Sequence, residues 1–161
     1  MDLLSELAIK IYEPPLSLHR ESGRIADTSD PLSVAMLVVD LDTELAMNGI
    51  VEFLGNSTGL YASQTVEALE RIGCPEDAQV LREILRTAAA GGMTHDAIQD
   101  ERRGIPEYSV VSFTQLHSSK WREVTAAVQV LSSKLDFSRI GRQAEAWIAQ
   151  HEGLFRSLLG D

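Results

Sequence analysis

The sequence predicts an all-α fold, a single compact multi-helix domain, and three observations carry that expectation. Apolar residues recur at alternating steps of three and four, most clearly in the C-terminal part. Residues that start or stop helices fall at the ends of those periodic runs. A chain of 161 residues with 44% hydrophobic content lies in the single-domain range and can fill one sizeable core.

Leu3 to Tyr12 is apolar enough for a short helix and stops at Pro14-Pro15, so the first thirty residues read as an N-terminal arm that packs and then loops through 16–30. At Asp30-Pro31 a capping side chain precedes a proline at the first helical position, where its missing N–H costs nothing. A helix is expected from there to Met47, with Val34, Leu37, Val38, Leu41 and Leu45 as its buried stripe and Asp40, Asp42 and Glu44 solvated on its flanks. Asn48-Gly49, a short apolar segment and Gly55-Asn56-Ser57-Thr58-Gly59 then form a helix-turn-helix corner over 47–60. Helical spacing resumes from Leu60 to Ile72, with Glu67 and Arg71 spaced to pair, and Gly73 supplies the stop. Pro75 restarts a helix that buries Leu81, Ile84, Leu85 and Ala88 and ends at Gly91-Gly92. The stretch 93–111 reads as an excursion holding a short helix over 95–102. Finally, Trp121, Val124, Val128, Leu131 and Leu135, then Ile140, Ala144, Trp147, His151, Leu154 and Leu158, predict two long antiparallel helices joined near Asp136.

No motif for chemistry emerges. The four histidines lie far apart with no His-x-x-x-His or Glu-x-x-His pair, so no metal site is expected. The run Asp40-Leu41-Asp42-Thr43-Glu44 resembles the start of a calcium loop, but Leu45 and Val51 occupy the positions that would need glycine and an acid. Gly55 to Gly59 precedes a helix without a lysine, which argues against a phosphate loop. Cys74 has no disulfide partner and reads as a buried or capping thiol. No catalytic residue, cofactor or enzyme activity is expected. No run reaches the ~18 apolar residues of a membrane span, and Met1 to Glu6 lacks the basic start of a secretory signal, so a cytoplasmic location is expected.

The charge is more informative. The net charge is -10, and residues 30–101 account for all of it, with 13 Asp and Glu against 3 Arg. The segments on either side, 1–29 at -2 and 102–161 at +2, cancel. A field of that sign repels nucleic acid and anionic membranes and attracts basic partners.

Within this acidic region, Val39 to Cys74 carries Asn48-Gly49-Ile50, Phe53, Asn56-Ser57-Thr58-Gly59, Tyr61-Ala62, Ala68-Leu69 and Ile72-Gly73. This stretch resembles the bacterial DNA-mimic protein family of the nineteen-kilodalton type. The usual family corner reads Asn-Gly-Gly-Phe ahead of Gln-Phe-Phe, where this chain has Met47-Asn48-Gly49-Ile50 and Glu52-Phe53-Leu54. The resemblance implies an all-helical homodimer that occupies the DNA-binding face of a basic transcription factor, with carboxylates in place of phosphates. It also implies structural roles for Asn48, Gly49, Phe53, Asn56, Gly59 and Gly73. Regional charge then nominates Asp40, Asp42, Glu44, Glu52, Glu67, Glu70, Glu76, Asp77 and Glu83 as partner-binding carboxylates. Duplex DNA carries one charge per ~1.7 Å of axis, so one chain would imitate ~17 Å and a dimer ~34 Å, close to the ~34–36 Å between half-sites of a helix-turn-helix dimer. The competing expectation is an immunity or adaptor module that binds through an apolar patch.

Overall fold

The computed structural model describes residues 2–104 and 120–160. Among these residues the chain is all-α, with ten α-helices and two 3-10 turns. The helices are α1 (Leu3–Lys10), α2 (Ser17–Glu21), α3 (Pro31–Met47), α4 (Ile50–Gly55), α5 (Ala62–Arg71), α6 (Pro75–Ala90), α7 (His95–Arg103), α8 (Arg122–Ser132), α9 (Phe137–Gln150) and α10 (Glu152–Leu159). The 3-10 turns span Arg24–Ala26 and Ser57–Tyr61.

The fold is organised around α3. Its start is fixed as the sequence predicts, by Pro31 in the first turn and the Asp30 side chain accepting from the Leu32 N–H at 2.9 Å. Its packing is not that of an amphipathic helix, because every residue from Leu32 to Leu41 is buried. The expected single stripe is therefore too narrow: α4, α5, α9 and the Arg24–Ala26 turn all pack on α3 and enclose Leu32 to Leu41. Only beyond Leu41 does it emerge, with Met47 75% exposed.

The expected loop over 16–30 is instead α2 followed by a 3-10 turn. Its polar residues turn inward: His19, buried, shares a 2.7 Å hydrogen bond with Ser33 of α3, whose hydroxyl in turn donates to the Arg24 carbonyl at 3.0 Å. A polar composition concealed a packed element because these polar groups bond one another.

The 47–60 corner forms as expected. Asn48 ends α3, its N–H bonding the Glu44 carbonyl at 2.8 Å, and Gly49 takes φ 84° between α3 and α4, where a side chain would be strained. Phe53 is fully buried. Gly59 is needed for contact, since a Cβ there would lie 2.0 Å from the Leu54 carbonyl oxygen. The helix expected from Leu60 begins at Ala62, because Ser57–Tyr61 is a 3-10 turn. Helix α7 docks on this corner, with His95 Nδ1 bonding the Leu54 carbonyl at 3.0 Å and Gln99 donating to the Gly55 carbonyl.

Helices α5 and α6 pack on each other across a turn at Gly73, φ 88°. Helix α8 lies on α6 and α4, and α9 lies on α3 and α1. The last expected helix is broken at His151, whose ring N–H donates to the Trp147 carbonyl at 2.8 Å, and α10 begins one residue later. That side chain takes the carbonyl that a continuing backbone N–H would have used. The residues most buried along this face are Ile140, Ala144, Ile148 and Phe155. His117 and the residues of the 93–111 excursion beyond Gly104 lie outside the described residues. Among the described residues no helix is long and apolar enough to cross a membrane.

Candidate functional site

The nine nominated carboxylates separate into groups when each is followed to its neighbours. Asp40, expected on a solvated flank, is 5% exposed. Both of its oxygens accept from Arg20 Nη2 at 2.8 Å, and one accepts from the Tyr12 hydroxyl at 2.9 Å. Burial holds its carboxyl above the ordinary aspartate value against the opposing pull of Arg20, and burial with the Asp40 charge pushes the Tyr12 phenol up to about 12. Asp77 is fully buried, accepting from Arg139 Nε and from the Asp136 N–H, both at 2.8 Å. These two acids are internal struts. Asp40 ties Tyr12, just beyond α1, and α2 to α3, and Asp77 ties the first turn of α6 to the start of α9. Neither can meet a partner, because a charge this deeply enclosed needs its cation within the fold.

Two more serve the corner. Glu44 accepts from the Asn48 and Asn56 side chains at 3.2 and 3.0 Å. Arg102 of α7 donates to Asn56 Oδ1 at 2.8 Å and to Glu52 at 2.7 Å. Asn48 and Asn56, the corner's two asparagines, thus tie it to a carboxylate on α3 and, through Asn56, to a cation on α7.

The remaining five are exposed or half-buried. Glu70 pairs with Arg82 at 2.5 Å between two exposed side chains. Glu67 makes no ion pair with Arg71; it accepts instead from Thr28 at 2.7 Å, which pins the N-terminal arm to α5. Among the described residues Glu83 accepts only from Gln79, at 3.4 Å. Asp42, Glu76 and Glu83 have no cation partner among the described residues, and Asp96 in the first turn of α7 is exposed in the same way. Glu76 and Glu83 are seven residues apart on α6, which places them on one face about 10 Å apart.

The cations that matter here were missed in sequence. Arg20, Arg102 and Arg139 neutralise Asp40, Glu52 and Asp77 from 20, 50 and 62 positions away. No local spacing signals such pairs. Cys74 meets its expectation of burial, being fully enclosed and unpaired, and burial with the nearby Asp77 charge pushes its thiol up to about 11. Among the described residues no group of three or more His, Cys, Asp or Glu could hold a metal ion.

A family model described as DMP19-like protein matches residues 26–151. No curated protein and no solved structure matches the chain.

Two outcomes follow from this geometry. Arg139→Ala strands a buried carboxylate and should lower the unfolding free energy by about 3–5 kcal/mol in chemical denaturation, whereas Arg82→Ala, at an exposed pair, should cost under ~1 kcal/mol. The raised thiol pKa makes stability complete below about pH 9 and lost as pH rises toward about 11. The stability gap between the wild type and Cys74→Ala should therefore shift in the variant's favour over that interval, by on the order of 1–3 kcal/mol.

Proposed function

We propose, from the premise that this chain belongs to the DMP19-like protein family, that it is a non-catalytic regulator that binds a basic DNA-binding protein through exposed carboxylates standing in for DNA phosphates. The observation that carries this reading is that Asp42, Glu76 and Asp96 are exposed and Glu83 is half-buried, all four with no internal cation among the described residues. Every internal ion pair removes one charge of each sign, so the net charge of -10 survives folding intact. What folding changes is its address. Asp40 and Asp77 leave the set of binding carboxylates, and Glu44 and Glu52 are committed to the corner.

Homodimerisation is part of the proposal, because one chain carries charge for only ~17 Å of duplex and two would span ~34 Å. Binding of this kind depends on ion pairing across a wet interface and weakens as salt screens it.

Partners captured from a lysate of the source organism with the immobilised chain should be basic DNA-binding proteins. Their affinity should fall at least about tenfold between ~50 mM and ~200 mM salt, and duplex DNA should displace them. The triple variant Asp42→Asn, Glu76→Gln, Glu83→Gln should capture at least about tenfold less. Partners that resist salt, ignore duplex DNA and bind the triple variant equally would contradict the proposal and favour the apolar-patch adaptor.

A further inference from the structure

Between α1, α3 and α9 lies an open cleft of about 290 Å³. Its floor is apolar, made by Val38 and Val39 of α3, 2% and 7% exposed, and Ile140 and Ala144 of α9, 1% and 6% exposed. Leu4 of α1 closes one side.

Three features give this cleft a chemistry. The first is Asp42, at the rim. It has no cation partner among the described residues, and no lysine or arginine lines the cleft. Partial desolvation by the cleft wall holds its carboxyl above the ordinary aspartate value. A cation arriving there would relieve a carboxylate that water serves incompletely.

The second is Gly141, inside α9. Glycine is disfavoured against alanine within a helix, so its presence calls for a reason. Its φ is not positive, and a Cβ there would meet nothing within 4 Å. Neither backbone conformation nor packing demands it, in contrast to Gly59. What its missing side chain does provide is room, because Gly141 lines the cleft.

The third is continuity. A second open cleft of about 250 Å³ shares Leu4 as a wall, again with an apolar centre at Ile148, and its charged lining residues are Asp2, Glu145 and Glu152. Both clefts offer apolar floors with acidic rims and no basic lining residue.

We infer that the α1–α3–α9 cleft seats one arginine or lysine side chain of a protein partner, its methylene stem on Val38, Val39 and Ile140 and its cationic head at Asp42. Long cationic side chains bury their stems on apolar surface while the charge stays near water, which is the division this cleft provides. Its volume falls just below the ~300–1,000 Å³ of clefts that hold whole small molecules, and suits a single side chain. The chain's net charge of -10 supplies the long-range complementarity. The inference takes the basic character of the partner from the proposed function.

The test is an NMR titration of the full chain with a short capped peptide holding one arginine between leucines. Saturable shifts are expected in backbone amides of residues 38–43 and 137–144. Replacing the peptide's arginine by norleucine, or Asp42→Asn in the protein, should each weaken binding about fivefold to tenfold. Gly141→Leu should abolish the saturable shifts by filling the cleft. Gly141→Ala, which adds one methyl in open space, should leave Tm at or above the wild-type value while weakening the peptide, so the claim stays testable if the leucine variant folds poorly. Shifts elsewhere, or shifts unchanged by both Asp42→Asn and the Gly141 variants, would overturn the inference, as would equal binding of the norleucine peptide. Salt-sensitive capture of basic proteins with no shifts in the cleft would sink this inference alone. Cleft binding with no DNA-binding protein captured would sink mimicry alone.

Discussion

The stretch of α3 from Leu32 to Leu41 is buried and has little water to lend a charged side chain, yet it carries Asp40. The fold resolves the conflict by bringing Arg20 and Tyr12 of the N-terminal arm onto the carboxylate, so the arm is held where the charge requires it. The same constraint recurs at Asp77, where Arg139 and the Asp136 N–H close a contact between α6 and the start of α9. Two buried acids thus fix how the N-terminal arm and the C-terminal helices meet the middle of the chain. Replacing either pair by apolar residues of similar volume removes both charges together, whereas removing the arginine alone leaves a buried carboxylate without its cation.

This division gives the acidity a physical meaning that a bulk number lacks. Some carboxylates hold helices together, some knit the corner to α7, and a few, such as Asp42, Glu76 and Glu83, are left for solvent or a partner. Since internal pairs are neutral, the whole net charge of -10 is expressed toward the outside. A basic surface approaching this chain would feel that field at distances of about a Debye length, ~10 Å at moderate salt, before any contact forms.

Much of the helical layout was legible because its punctuation is local. Asp30-Pro31, Asn48-Gly49, Gly73 with Pro75, and Gly91-Gly92 each act within a turn of their own position, and each ends or starts a helix where expected. What could not be read depends on groups distant in sequence. The 16–30 segment looks like a loop until His19 and Ser33 are seen to bond across it. Asp40 and Asp42 stand two positions apart with the same chemistry, and only the enclosing helices make one a strut and the other a rim residue. The break at His151 depends on a ring that competes for a backbone carbonyl, which apolar periodicity does not register. Gly141 carries no local sign of the cleft it opens, because the opposing wall comes from α1 and α3.

The central claim is that carboxylates of one acidic region divide into those that build the fold and those that bind. It is tested most directly by measuring unfolding free energy for two matched sets, Asp40→Asn with Asp77→Asn, and Asp42→Asn with Glu76→Gln and Glu83→Gln. The account predicts a loss of several kcal/mol, on the order of 3 or more, for the first set and a change within about 0.5 kcal/mol for the second. Equal losses in the two sets, or a first set as stable as the wild type, would contradict it.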